Sequence, residues 1–382
     1  MPEIAEVALM ADAIREILSG QKLSKITILG GRYLIYKIKN EEGHWVNKVK
    51  VYNEETNQYA WVTVNTTTFP GGQYLPELEN FDLLNDRLPL NVQSVNVKGK
   101  FCWIQLDDDW YIGITFGMTG GIYYEPNDEV ISYYSESIGK KISKTEYTKH
   151  FHIKFETLSG SCFYFGDPRR FGTITLSTNS LQLKTKLNKL GPDMLTNQPI
   201  SDLQFIEIFR RPKFNNSNIC KVLMGQEAIS GVGNYIKAET LYECGINPWA
   251  LVSDLTDQTL IQLHQSIRQI ANLAYKGHGA SLYTYTGTRR EKGSFQNLLK
   301  VYDKKIDFNG FKVIIIPDKK SPDKRATHYV IEKQTIGIHR DPLAHSKMES
   351  FCQPHIQLSN VPKIALVKKK IPITLKLKSL DD

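Results

Sequence analysis

The sequence predicts an α+β multidomain protein: an N-terminal β-sandwich with a leading helix, followed by a helical domain and a β-hairpin. Three observations carry this. Ile4, Val7, Ala11, Ile14 and Leu18 recur at spacings of three and four, one apolar helix face, and Gly20 is placed to end it. From Ile26 to about Leu176 the pattern changes to short β-rich runs separated by turn residues. From Ser201 onward it turns helical.

The strands are expected at Lys48–Tyr52, Ala60–Val64, Val92–Val97, Phe101–Leu106, Tyr111–Phe116, Phe151–Phe155 and Phe163–Phe165. Short, regularly spaced runs of this kind build a sandwich or barrel. In the helical part, Asp202–Phe209 and Asn218–Gly225 are short amphipathic candidates. Leu260, Leu263, Ile267, Ile270 and Ala274 mark a longer helix, with Thr256 as N-cap and Gly277 as its end. Val301-Tyr302, Lys312–Ile316 and Ala326–Glu332 then read as strands. Residues from about Asp341 are rich in Lys and Pro with weak periodicity, a flexible tail.

Composition narrows the function classes. The 382 residues suit about two or three domains. A net charge of +8 and a pI near 9.0 suit a polyanion, though membrane headgroups or plain solubility fit as well. The five cysteines, Cys102, Cys162, Cys220, Cys244 and Cys352, are scattered and form no C-x-x-C pair. That argues against a disulfide framework and a cysteine zinc site. No leading apolar signal region and no membrane-length apolar run is present, which predicts an intracellular, non-secreted protein.

The first residues carry a candidate chemistry. Pro2 is small enough for Met1 to be trimmed, leaving a secondary amine at the terminus. An α-amino group has a pKa of about 8, so it can act as a nucleophile near neutral pH. Attack on an aldehydic carbon gives an iminium, and Glu3 and Glu6 can move the protons this needs. The same residues also read as a helix start, with Pro2 opening it and Glu3 complementing its dipole.

Four stretches occur in the order of one family: Pro2-Glu3…Glu6-Val7, Lys98-Gly99-Lys100, Asp167-Pro168-Arg169-Arg170-Phe171-Gly172, and Gly231-Val232-Gly233-Asn234-Tyr235. From Pro2 to about His328 the chain resembles the formamidopyrimidine-DNA glycosylase / endonuclease VIII family of base-excision repair. Gly225 to Glu239 resembles its helix–two-turn–helix element, particularly in the eukaryotic and giant-virus endonuclease VIII-like branch. The resemblance implies that Pro2 and Glu3 are catalytic and that Lys100 lies at the lesion strand near the reacting sugar. Met118, Arg169 and Phe171 match the side chains that fill the duplex when a base is flipped out. On spacing alone, Met118 and Phe171 read as core and Lys100 as a hairpin-turn lysine. Gly231 and Gly233 would let the backbone approach a phosphate, Asn234 would donate to it, and Arg170 is a further DNA contact. Gly191-Pro192-Asp193-Met194-Leu195 resembles a family turn that closes the sandwich.

Most of the family binds zinc through four cysteines in a terminal hairpin. The corresponding stretch here, Tyr302 to Gln334, has none, and Val330 stands where a ligand would. A zincless finger is therefore expected, held by Val313, Ile314, Ile315 and Val330. Arg325, in Lys324-Arg325-Ala326-Thr327-His328-Tyr329, would grip phosphates in two-pronged contacts; alone, this charge run reads as a solvated turn. Tyr283, Tyr285, Thr288, Arg289 and Arg290 fall where the family has a loop over the extruded base. The run Lys368-Lys369-Lys370 with Lys376 and Lys378 reads as a DNA contact, a nuclear address or a solubilising tail.

The expected organisation is a catalytic β-sandwich at 1–198 with an insertion at about 37–86. A helix–two-turn–helix domain at 199–298, the finger at 299–340 and a basic tail at 341–382 follow. The expected activity is that of a bifunctional glycosylase and abasic-site lyase. It would remove oxidised pyrimidines and formamidopyrimidines through a Pro2 Schiff base and nick by β,δ-elimination. The expected partner is double-stranded DNA carrying oxidised bases or abasic sites. The protein would act as a monomer, without a membrane and without cofactor, in nucleus or cytoplasm. Two rivals stand beside this: a non-catalytic lesion binder on the same fold, and a basic nucleic-acid scaffold.

Overall fold

The computed structural model describes residues 2–33, 35–39, 42, 45–53, 58–64, 78–279 and 294–344. The chain to Asp341 is one compact unit. The proposed base-covering loop around Tyr283–Arg290 and the lysines of the tail lie outside the described residues.

The chain opens with α1 (Ile4–Leu18) and β1 (Lys22–Ile28). Next come β2 (Ile35–Lys39), β3 (Trp45–Asn53), β4 (Gln58–Val64) and α2 (Phe81–Asn85). The strands β5 (Leu90–Lys98), β6 (Phe101–Leu106), β7 (Tyr111–Thr115) and β8 (Gly121–Tyr123) follow. Two helices, α3 (Asp128–Ile138) and α4 (Lys144–Thr148), lead into β9 (Phe151–Thr157), β10 (Cys162–Gly166), β11 (Thr173–Ser177) and α5 (Ser180–Asn188). The eight-stranded sheet runs β11-β7-β6-β5-β1-β9-β10-β8. Among the described residues its two halves pair as strands only at Lys22↔Asn91 and Leu23↔Leu90, so it folds over as two layers. Ile26, Ile153, Phe155 and Phe163 from one layer share a core with Ile104, Ile112, Ile114 and Ile174 from the other.

The insertion, read as a hairpin or loop, contains a separate three-stranded sheet, β2-β3-β4. The helices α3 and α4 interrupt the stretch expected to hold strands and turns up to about Leu176, and α5 follows it. Their local signal is at their starts: Asn127 accepts from Val130 N at 2.8 Å, Asn179 from Gln182 N at 3.1 Å, and Ser143 with Glu146 forms a capping box.

The helical part holds α6 (Asp202–Arg210), α7 (Pro212–Asn215), α8 (Ile219–Met224), α9 (Asn234–Glu243) and α10 (Asp257–Lys276). Asn218 and Thr256 cap α8 and α10, as their side chains predict. Two short strands close the fold, β12 (Ile314–Ile316) and β13 (Thr327–Tyr329). Val301-Tyr302 is not a strand, and the run expected over Ala326–Glu332 pairs only from Thr327 to Tyr329. The apolar content there is used in packing against α9, through Val301, Val313 and Val330 on Ala238 and Tyr242.

The helix α1 belongs to both cores. Ile4 and Ala5 pack with Ile236 and Leu263 of the helical part. Val7, Met10, Ala11, Ile14 and Leu18 pack into the sandwich. The residues before α1 are therefore held where the two cores meet.

Candidate active site

Glu3 is buried and faces the start of α9. Its carboxylate accepts from Gly233 N (2.8 Å), Tyr235 N (2.9 Å) and Ile236 N (3.2 Å). It is the anion at the positive end of that helix. Glu3 N donates to Glu6 Oε2 at 2.9 Å, and the Tyr235 hydroxyl donates to Glu6 at 3.2 Å. Burial lifts the Glu3 carboxyl above the usual carboxylate range; the Lys100 ammonium and the α9 amides oppose that, and Glu6 adds to it. Burial likewise holds Lys100 below the usual lysine range, against the pull of Glu3 and Glu6. The two groups share one dry, mixed-charge environment suited to moving protons.

The glycines of the two-turn element have a different use from the one expected. Gly231 has φ +102°, and a Cβ there would lie 2.4 Å from Ile4 Cδ1. A Cβ on Gly233 would lie 2.2 Å from Glu3 Cδ. Their amides are also engaged, Gly231 N on Gln226 Oε1 at 2.8 Å and Gly233 N on Glu3. The room read as space for a phosphate is filled by the first residues of α1. Asn234 Nδ2 donates to the Ala326 carbonyl at 2.9 Å, tying α9 to the hairpin tip.

Lys100 follows a turn whose Gly99 N donates to Asp193 Oδ2 at 2.6 Å. Asp193 also accepts from Leu195 N at 2.7 Å, and Ser230 N donates to the neighbouring Pro192 carbonyl at 2.8 Å. The Gly191–Leu195 turn thus fastens the Lys100 turn to the two-turn element. Asp167, fully buried, organises the loop after it: it accepts from Arg169 N (3.1 Å), Gly172 N (2.6 Å) and the Thr119 hydroxyl. The loop bearing Met118 is therefore bound to the loop bearing Arg169, Arg170 and Phe171. Phe171 is 48% exposed, which rules out the core reading, and the Arg169 guanidinium lies 4.8 Å above its ring.

These pieces converge. Pro2, Lys100, Met118, Phe171, Gln226 and Arg325 line one cavity of about 490 Å³. Arg325 Nη1 stands 4.0 Å from Met118 Sδ across it. Buried Glu3, Gly231 and Gly233 and half-buried Asn234 support it, and Arg169 sits over Phe171 at its edge. Sequence reasoning missed Gln226, Asp167 as loop organiser, and Lys237, which is 0% exposed and paired with Asp323 Oδ2 at 2.6 Å. A lysine in mid-helix has no local mark of burial; the Asp that opens the hexapeptide Asp167–Gly172 was a usable signal.

The hairpin stretch from Tyr302 to Gln334 offers no cysteine donor for a metal. His328 is buried with Nδ1 unpartnered, but the stretch has no cysteine and Val330 is apolar. Among the described residues no group of three or more His, Cys, Asp or Glu could hold a metal. Nor is the hairpin held by strand packing alone, since Ile315 is 49% exposed. Buried Gln334 accepts from Val330 N at 2.9 Å and donates to the Ile246 carbonyl at 2.8 Å. Asp307 accepts from the Tyr242 hydroxyl at 2.7 Å and from Phe311 N at 2.8 Å.

The comparisons agree with this architecture. The profile described as the formamidopyrimidine-DNA glycosylase N-terminal domain matches residues 79–174, and the one described as its H2TH domain matches 190–285. A formamidopyrimidine-DNA glycosylase of Gluconobacter oxydans is 30% identical over 217 residues, 56% of this chain and 70% of that protein. One of Bacillus licheniformis is 29% identical over 215 residues, again 56% and 70%. A solved complex of Lactococcus lactis Fpg with abasic-site DNA superposes with a TM-score of 0.61 at 20% identity, over 87% of this chain and 99% of that one. Its complex with DNA containing an oxidised pyrimidine gives 0.61 at 20%, over 87% and 100%. At that identity the structural likeness concerns the fold. Fold and cleft define a two-core enzyme built around the start of one helix. The chain belongs to the formamidopyrimidine-DNA glycosylase family. Among the described residues, no helix is long and apolar enough to cross a membrane.

Proposed function

We propose that the protein is a bifunctional DNA glycosylase and abasic-site lyase of base-excision repair, with Pro2 as its nucleophile. The observation that carries this is the shared cavity: Pro2, Lys100, Met118, Phe171 and Arg325 line it, with Glu3 buried behind. With Met1 removed, the Pro2 nitrogen attacks C1′ of an extruded nucleotide. The N–C1′ bond forms as the glycosidic bond breaks, and the base leaves protonated. Glu3, with its raised pKa, moves the proton at the sugar as the ring opens to the iminium. The iminium acidifies C2′, and loss of that proton expels the 3′ phosphate; loss of a second proton, from C4′ of the unsaturated iminium so formed, expels the 5′ phosphate, and hydrolysis returns the amine. Lys100 and Arg325 hold the phosphates. Met118, Arg169 and Phe171 occupy the vacated stack, and Arg170 adds a backbone contact. Gly231, Gly233 and Asn234 act through Glu3 and the hairpin tip.

Relatives named for formamidopyrimidines support that substrate class. The Tyr235-Ile236-Lys237-Ala238 stretch and the cysteine-free hairpin favour the endonuclease VIII-like branch, and with it oxidised pyrimidines. The hairpin works without zinc. An activity on DNA puts the protein inside the cell, and one copy holds a whole cleft, so it acts as a monomer.

Borohydride trapping on an abasic-site duplex tests this. The mature protein should yield a covalent adduct, and a chain that retains Met1 should yield at least about tenfold less. Tight binding with no adduct and no nick would return the lesion-binder reading. The charge of Lys100 also opposes the lift of Glu3. Lys100→Met should therefore raise the Glu3 pKa further, and the pH–rate limb that reports it should move up by about one unit.

A further inference from the structure

We infer that Lys237 is a positioning residue for Arg325, acting through Asp323, and that α9 thereby sets the hairpin tip and Glu3 on a common frame. Asn234 and Lys237 are one turn apart on α9 and so share a face. Asn234 Nδ2 reaches the Ala326 carbonyl at 2.9 Å. Lys237 Nζ reaches Asp323 Oδ2 at 2.6 Å, with the two side chains 0% and 2% exposed. The other oxygen of Asp323 accepts from Arg325 N at 3.2 Å and from the Ser321 hydroxyl at 3.4 Å. The helix therefore grips the tip on both sides of Lys324 and Arg325.

Lys324 is itself in the left-handed region, at φ 57°. A lysine stays there only where its surroundings over-determine the backbone. The clamp on Asp323 and Ala326 supplies that constraint, and the resulting turn sends the Arg325 side chain toward Met118 in the cavity. A buried ion pair adds little net stability over an apolar pair of the same size, so its use here is geometric. The first amides of the same helix hold Glu3. A shift of α9 moves the proton carrier and the arginine together.

This rests on the proposed role of Arg325 at the flipped nucleotide. The test uses the full chain with Lys237→Met and Asp323→Leu combined, because Lys237→Met alone strands a buried carboxylate and can fail to fold. Tryptic cleavage at Lys324 and Arg325 should rise at least about tenfold while cuts elsewhere stay unchanged. On a lesion duplex kcat should fall about 10- to 100-fold, the scale of a small misplacement of a reacting or clamping group. In an Arg325→Ala background the same pair of changes should cost less than about twofold more. Lys237→Arg, which keeps the charge, should recover most of the rate. Unchanged tip cleavage, or a loss that multiplies with that of Arg325→Ala, overturns the inference. If the wild-type chain traps no adduct, the activity reading has failed, and tip cleavage alone still decides whether Lys237 sets the turn.

Discussion

The sandwich and the terminal hairpin are stabilised by different means. The sandwich buries a continuous apolar core from both layers and from α1. The hairpin has two three-residue strands, a small apolar patch on α9, and buried polar side chains that each satisfy several backbone groups. Area is tolerant, because many contacts share the load; a buried polar tie is specific, because one lost partner leaves others unsatisfied. The hairpin therefore trades robustness for a fixed tip, which the phosphate grip proposed for Arg325 needs.

That contrast can be broken at its strong end first. Phe155→Ala empties the middle of the sandwich core and should cost about 4 kcal/mol, read as a lower denaturant midpoint of the whole unit. Gln334→Ala strands Val330 N and the Ile246 carbonyl and should cost about 2 kcal/mol. Its loss should show in faster hydrogen exchange of the hairpin, with the sandwich amides unchanged. Equal exposure of both regions would mean the hairpin is no separate tie.

Acid sharpens the comparison. Burial alone would raise the Asp307 carboxyl, but hydrogen bonds from Tyr242, Phe311 N and Asn309 N more than offset it and pull the group down to about 2. An unfolded Asp titrates near about 4, so the stability this adds is present above that pH and is lost as the pH falls toward 2. Asp307→Asn should therefore be less stable than wild type at neutral pH, with the gap closing between about pH 4 and 2. A gap that does not change with pH would show that the charge contributes nothing. At the weak end, Lys213→Ala removes an exposed pair with Glu227 and should move stability by no more than about 0.5 kcal/mol. Exhaustive chelation should leave the melting temperature unchanged; a drop would restore a structural metal to the hairpin.

How much was legible depended on how local the cause was. The face of α1, the cap Thr256, and strands such as Phe101–Leu106 were readable because spacing and capping act within a few residues. The helix α4 was missed because it is five residues long, and α5 because it buries no side chain, so that only their caps mark them; α3 was missed although Val130, Ile131 and Tyr134 share one packed face. At the site, Pro2, Lys100, Met118, Arg169, Phe171, Asn234 and Arg325 could be singled out as side-chain types in a recognised order. Lys237 and Asp323 could not, since 86 residues separate them.

Readable without the structure were the most periodic elements, such as α1 and α10, the absence of cysteines from the hairpin, and the family to which the motifs point. Only the tertiary structure decided that Gly231 and Gly233 make room for Ile4 and Glu3, that Asn234 holds the Ala326 carbonyl, and that a mid-helix lysine is buried. Those outcomes are set by close approach between segments far apart in the chain. The glycine contacts depend on how two cores meet across α1 and the other two on how the hairpin packs on α9, and no window of neighbouring residues contains that information.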